Sequence, residues 1–241
     1  MSWMTCLFNT AWKLGTVPKE WQTGVVVPLF KKGDQRVCAN YRCITLLSLP
    51  GKVYSKVLER RVRPIVEPRI EEEQFRFCPG RGTTDQLFTL ARILEGAWEY
   101  AQPVYMCFGD LEKAYDRVPR DLLWEVLREY GVRGSLLRAI QSLYAQSESC
   151  VRILGKKSDS FQVEVGLRQG CALSKILFVI FMDRISRRSY SAEGLWFGSL
   201  IISSLLFADD VVLMASSVHD LQHSLDRFAA ECEAAGMRIS T

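Results

Sequence analysis

Residues 205–214 read LLFADDVVLM, and the reading of this stretch decides the fold. Four apolar residues precede the adjacent carboxylates Asp209 and Asp210, and four follow them. A carboxylate among apolar neighbours is costly to desolvate unless it is paired, hydrogen-bonded or bound to a cation. No Lys or Arg lies nearby in the sequence. Two short buried strands joined by an acidic tip satisfy the pattern. A tight turn using Asp for its turn chemistry is the plainer alternative, but a solvated turn rarely has apolar residues on both immediate flanks.

The chain around this stretch is that of a folded protein. Its 241 residues are enough for one large domain or two small ones. They are 48% hydrophobic and 24% charged, a balance that argues against disorder. The longest apolar run of the second half, Ile176 to Met182, is far shorter than the roughly 20 residues of a membrane span. No basic-then-apolar leader opens the chain, so a nuclear or cytoplasmic location is expected over secretion. Eight cysteines are scattered without a CxxC pair, which excludes the common zinc modules and fits reduced thiols. A net charge of +4 permits nucleic acid as a partner without demonstrating one.

Upstream, Trp3, Leu7, Phe8, Ala11 and Trp12 recur at helical spacing. Thr23 to Phe30 reads as a strand, KKGDQR as a basic turn, and NYRCITLLSL as a second extended segment. Pro50 to Arg63 predicts a basic amphipathic helix. Thr83 or Thr84 is suited to cap another through Trp98, with Leu87, Leu90, Ala91, Leu94 and Trp98 on one face. Val104 to Phe108 predicts a strand, and two helices follow at about 120–130 and 135–144. Cys150 to Leu154 and FQVEV (161–165) suggest a hairpin, and 172–188 a helix. The last helix carries Val218, Leu221, Leu225, Phe228, Cys232 and Ala235, with Gly236 as its stop. Few strands separated by helices predict an α+β fold with an antiparallel sheet.

A third carboxylate, Asp110 in FGDLEKAYD, follows the 104–108 strand. If that strand pairs with the acidic hairpin, Asp110, Asp209 and Asp210 converge. Three carboxylates at one point repel unless a divalent cation neutralises them. Hard cations such as Mg²⁺ take oxygen ligands, and two such ions about 4 Å apart serve polymerases and nucleases.

The segments FGDLEKAYDRVPR (108–120), GLRQGCALSKILFVIFMDRIS (166–186) and LLFADDVVLMA (205–215), in that order, resemble the palm motifs of reverse transcriptases, most of all those of non-LTR (LINE-type) retrotransposons. NYRCITLLSLPGKVYSKVLERRV and QFRFCPGRGTTDQL resemble the fingers motifs that precede them. The resemblance runs from about Val17 to the C-terminus. It implies a right-hand polymerase palm, an antiparallel sheet with packed helices, over 101–241 and a fingers-like region over 1–100, in one continuous domain. It further implies an RNA-directed DNA polymerase that transfers dNTPs to a primer 3′-hydroxyl on an RNA template. Asp110, Asp209 and Asp210 would hold two Mg²⁺ ions, with Mn²⁺ as a substitute and Asp210 in a supporting place. Tyr115 would lie under the incoming sugar and exclude a 2′-hydroxyl. Arg42 and Lys31 would meet the triphosphate, although surface charge alone also accounts for Lys31. Gln169 would offer its amide to template or substrate, and Gly166 and Gly170 would permit close backbone approach. Arg81 suits a template phosphate or a solvated turn equally, and Lys113 and Asp116 read as supporting residues.

The sequence departs from the family pattern at Cys43, Arg76, Gly109 and Lys175. It ends at GMRIST, where the resemblance implies more palm and then a thumb, and no endonuclease region precedes Met1. A fragment of a longer parent is therefore expected. A non-catalytic nucleic-acid-binding descendant of the same fold is the alternative, its basic residues in KKGDQR and the Lys52 to Arg63 helix meeting phosphates. HDLQH (219–223) loosely resembles HExxH, but the apolar stripe of its helix explains it as packing.

Overall fold

The computed structural model describes residues 2–71, 74, 80, 82–190, 194–197 and 200–240. Arg76 and Arg81 lie outside the described residues. In chain order the helices are α1 (Trp3–Leu14), α2 (Lys19–Gln22), α3 (Leu49–Val66), α4 (Thr83–Glu99), α5 (Ala114–Arg117), α6 (Arg120–Glu129), α7 (Gly134–Tyr144), α8 (Ala172–Ser189) and α9 (Val218–Ala234). The strands are β1 (Thr23–Phe30), β2 (Tyr41–Leu46), β3 (Tyr105–Gly109), β4 (Glu148–Ile153), β5 (Lys156–Lys157), β6 (Phe161–Gln162), β7 (Leu195–Phe197), β8 (Leu200–Ile202), β9 (Ser204–Phe207) and β10 (Asp210–Ala215). Among the described residues no helix is long and apolar enough to cross a membrane.

Two compact units emerge, each built from two stretches of chain. The first comprises Met1–Val66 and Leu127–Ile176. Its sheet runs β2-β1-β4-β5, with β6 also paired to β4. β1 pairs β2 antiparallel through Val25↔Leu46 to Phe30↔Tyr41, but pairs β4 parallel through Thr23↔Glu148 to Val26↔Val151. Phe8, Trp21 and Tyr54 form a ring cluster with centroids 5.3–5.7 Å apart. α3 packs on α7, and Leu58 and Val62 of the first and Leu137 and Ile140 of the second are buried. α3 runs past Arg63 through Pro64 to Val66, longer than its sequence pattern predicts. The 150–165 hairpin also differs from expectation. β4 turns at Leu154–Gly155 into β5, and only Phe161–Gln162 of FQVEV returns to the sheet.

The second unit comprises Glu67–Val126 and Leu177–Thr241. Its antiparallel sheet has the order β3-β10-β9, beside a separate β7-β8 ribbon. Ile93, Leu195, Leu205 and Met214 form a buried cluster, with Leu90, Val104, Met106, Ile202 and Val212 packed on it. α9 packs on β10 and β3. It buries Phe228, Cys232 and, past its end, Ala235, whereas Val218 at its start is exposed. The α8 residues of this unit from Leu177 to Met182 are at most 1% exposed, which is why that helix is apolar on all sides.

α4 differs most from the sequence reading. Gly82 is its cap, with the Gly82 N–H donating to Asp85 Oδ2 at 2.7 Å, in place of Thr83 or Thr84. The helix faces the core with Ile93 and Gly96, while Leu87, Leu94 and Trp98 are 61%, 41% and 90% exposed.

Candidate active site

The acidic hairpin forms as its sequence predicts. β9 and β10 pair antiparallel with Asp210 opposite Phe207, so Ala208 and Asp209 make a two-residue tip. Ala208 has φ +61° while Asp209 does not share the positive value, the dihedral pattern of a type II′ turn. That position favours Gly, and an L-residue there costs about 1–2 kcal/mol. Ala208 is fully buried, its N–H donating to Gln74 Oε1 at 3.3 Å. Gln74 opens the QFRFCPGRGTTDQL motif, but neither its contact with Ala208 nor the strain at Ala208 is indicated by periodicity or motif spacing.

β10 also pairs with β3, from Ala215↔Tyr105 to Val211↔Gly109. One step beyond that last pair stand Asp110 and Asp210, so the register sets them opposite each other, about 5 Å apart at Cα for such pairs. They share a face with the Phe108–Val212 and Met106–Met214 pairs. Thus the strands bring Asp110, Asp209 and Asp210 to one end of one sheet. Their charges are not buried as the apolar flanks suggest: Asp110 and Asp210 are exposed and Asp209 is half-buried. Among the described residues no group of three His, Cys, Asp or Glu side chains is arranged to hold a metal ion. The sheet fixes the three backbones at that end.

The C-terminal segment laces the other side of Asp110. Ser240 N–H donates to the Asp110 carbonyl and Glu112 N–H to the Arg238 carbonyl, both at 2.8 Å, around a Leu111↔Ile239 bridge. Glu112 in turn pairs with Arg117 at 2.7 Å. Lys113, at φ +50°, turns the chain into α5. This sets Tyr115 face to face with Phe178, with centroids 4.4 Å apart and ring planes 17° from parallel. Phe178 is wholly buried and Tyr115 half-buried, so the tyrosine is backed by core on one face.

The remaining candidates lie in the first unit. Lys31 extends the β1–β2 ladder, its N–H donating to the Asn40 carbonyl at 2.9 Å. Arg42 sits opposite Leu29. The alternation of the ladder puts Lys31 and Arg42 on one face, and both are exposed. Gly170 has φ +94°, and a Cβ built there would meet the Thr45 carbonyl oxygen at 2.9 Å, so the GLRQG turn lies directly against β2. The half-buried Gln169 precedes it.

Arg168, to which the motif reading gives no role, anchors this turn. It donates to the carbonyls of Trp21 and Gln22 at 2.6 and 2.5 Å and to Ser147 Oγ at 2.9 Å, and lies over the Tyr144 ring. Burial pushes its guanidinium below the usual value. Of the departures from the family pattern, Gly109 has room for a side chain, its nearest neighbour being the Val211 carbonyl at 3.9 Å. Lys175 is an exposed residue of α8, which forms regardless. Exposed Cys43 pairs with Pro28 in the β1–β2 ladder. In HDLQH, His219 is exposed beside Asp220, whose N–H is taken by the cap residue Ser217 at 3.1 Å.

The fold is that of solved telomerase structures. It matches apo telomerase from Candida tropicalis lacking its C-terminal domain with TM-score 0.68 at 14% identity, over 99% of this chain and 53% of that one. It matches telomerase from Candida albicans in complex with a fragment of telomeric RNA with TM-score 0.67 at 12% identity, over 99% and 45%. The palm-and-fingers α+β class is thereby shown. Residues 30–241 match the family model "Reverse transcriptase (RNA-dependent DNA polymerase)", and the chain belongs to that family.

Its curated relatives are mobile-element proteins. The transposon TX1 149 kDa protein of Xenopus laevis is 28% identical over 97% of this chain and 18% of its own length. The type-1 R2 element polyprotein of Nasonia vitripennis is 25% identical over 97% and 22%. The RNA-directed DNA polymerase from mobile element jockey of Drosophila funebris is 26% identical over 94% and 25%. The chain spans about a fifth to a quarter of these relatives.

Proposed function

We propose that this chain is the polymerising domain of a LINE-type retroelement reverse transcriptase, adding deoxynucleotides to a DNA primer on an RNA template. The observation that carries the reading is the β3–β10 register, which sets Asp110 and Asp210 opposite each other with Asp209 at the adjoining tip. Their oxygens are the donor set that hard divalent cations prefer, so the residues fit Mg²⁺, with Mn²⁺ as a substitute. Asp110 and Asp209 would hold two ions, with Asp210 supporting. When bound, the ions would stabilise charge on the attacking and leaving oxygens of the transfer.

The chain's own residues align the reactants. Tyr115, backed by Phe178, would meet the incoming sugar and disfavour a 2′-hydroxyl. Lys31 and Arg42 would neutralise the triphosphate as pyrophosphate departs, and Gln169 and Gly170 would seat template or substrate against the turn that Arg168 anchors. No covalent intermediate is needed, because the primer 3′-hydroxyl attacks the α-phosphorus directly once aligned. Work on nucleic acid suits a nuclear or cytoplasmic chain.

Primer extension on an annealed RNA template, with Mg²⁺ and Mn²⁺ in separate reactions, tests this reading. Extension by the purified chain that disappears in Asp209→Ala supports it. A folded chain that extends nothing under either metal overturns it. The second reading, a non-catalytic nucleic-acid binder, draws on the exposed basic residues Lys31, Lys32 and Arg36 of KKGDQR, which can meet phosphates without the carboxylates. It predicts salt-sensitive RNA binding, unaffected by Asp209→Ala, without extension.

A further inference from the structure

We propose that Gln74 is a positioning residue for the acidic hairpin, acting on Asp209 through Ala208. Its functional consequence rests on the metal-carboxylate reading above; its geometry does not. Gln74 is 1% exposed, an unusual place for an amide unless its polar atoms are used. Its backbone bridges Leu206 of β9 in parallel, along the edge that β10 leaves uncovered in the β3-β10-β9 order. From there Oε1 takes the Ala208 N–H at 3.3 Å. That N–H belongs to the two-residue tip, and Ala208 carries the left-handed φ of +61° that sets the direction of the next residue, Asp209.

Gln74 is itself held from a rigid element. Gln74 N–H donates to the Glu71 carbonyl at 3.3 Å, and Glu71 N–H donates to Asp183 Oδ1 of α8 at 2.8 Å. Asp183, 1% exposed, pairs with Arg187 at 2.9 Å, and Arg187 also binds the Glu71 carboxylate at 3.2 Å and the Arg69 carbonyl. A continuous path of hydrogen bonds therefore runs from the buried helix α8, through residues 69–71 and Gln74, to the strained residue before Asp209. Within this path the Gln74 side chain contributes one contact, Oε1 accepting from the Ala208 N–H, and the proposal rests on that oxygen. The arrangement fixes the tip of a hairpin on which Asp210 is exposed and Asp209 half-buried.

Amide hydrogen exchange of the purified chain, followed by NMR, tests the contact directly. In Gln74→Met, which keeps the volume and removes the acceptor, Ala208 exchange accelerates at least tenfold relative to Leu213 in the same hairpin. In parallel, the Mn²⁺ dissociation constant rises about tenfold in Gln74→Met. Unchanged exchange at Ala208 overturns the proposal. So does acceleration at Ala208 and Leu213 in equal proportion, because that is general loosening. A wild-type chain that takes up no Mn²⁺ overturns the metal reading of the preceding section, and the exchange comparison still decides the role of Gln74.

Discussion

Gly170→Ala is the substitution through which the close approach of the GLRQG turn to β2 can be weighed. Two effects act at this position. Alanine at φ +94° adopts a conformation costing about 1–2 kcal/mol, offset in part by about 0.4–1 kcal/mol from a less flexible unfolded chain. The added methyl would also stand 2.9 Å from the Thr45 carbonyl oxygen, and that neighbour is backbone in a paired strand, which yields reluctantly. Overpacking of this kind costs about 1–3 kcal/mol. Together the terms predict a loss of about 2–4 kcal/mol, or a melting temperature lower by about 4–16 °C for a chain of this size. Gly155→Ala is the matched control: φ is +81°, yet nothing lies within 4 Å of the new methyl. Only the dihedral effect remains there, predicting a loss of about 1 kcal/mol or less. Equilibrium urea unfolding followed by tryptophan fluorescence, with Trp21 buried in the same unit, measures both. Equal losses in the two variants would show that the turn does not press on β2, and the assignment of Gly170 to close approach would fail.

Two further outcomes follow from strain and burial. Leu154, 99% exposed at φ +48° beside Gly155 at φ +81°, occupies a two-residue turn with both dihedrals positive, where Asn-Gly is favoured. Leu154→Asn should raise stability by about 0.5–1 kcal/mol without altering primer extension, and an unchanged or lower melting temperature would refute the strain. Burial, with Glu231 adding to it, pushes the Cys232 thiol from its ordinary value near 9 up to about 12. The neutral form is therefore favoured in the folded chain, so its stabilisation is complete below pH 9 and is lost as pH rises towards 12. At pH 8 iodoacetamide should modify the exposed Cys6, Cys38 and Cys43 in the folded protein and reach Cys232 only on unfolding. Equal labelling of all four would contradict the burial.

How much of this was legible in the sequence varies with the range of the interaction. The acidic hairpin was, because its strands are separated by two residues and its apolar flanks are unbroken. α4 as a helix was, but its inward face was not. Leu87, Leu90, Ala91, Leu94 and Trp98 make the face the sequence favours, and Ile93 and Ala97 extend a neighbouring stripe that also takes in Leu90. Periodicity cannot choose between two apolar stripes, and the cluster around Leu205 and Met214 takes the second. The parallel pairing of β1 with β4 was out of reach for a different reason. More than a hundred residues separate the strands, and no local pattern encodes the partner of a parallel edge.

At the site the same division holds, with one consequence for how a carboxylate cluster is recognised. Asp110, Asp209 and Asp210 announce themselves because charge among apolar residues is anomalous, and the register then gathers them. Their exposure in the fold shows that the anomaly was not burial of the charges themselves: the apolar flanks Leu205, Leu206, Val211 and Leu213 serve the core, and the acids are carried out to the sheet end. What holds that end is invisible to the same reasoning. Gln74, Arg168 and the 238–240 segment act by satisfying backbone groups, Ala208 N–H, the Trp21 and Gln22 carbonyls, and the Asp110 carbonyl. Every residue presents such groups, so even where Gln74 and Arg168 fall inside motif segments, the backbone groups they meet cannot be named until the chain is folded. On the proposed function, the chemistry of this site is carried by its anomalous residues and its precision by ordinary ones, which is why variants of Gln74 test the hairpin differently from variants of Asp209.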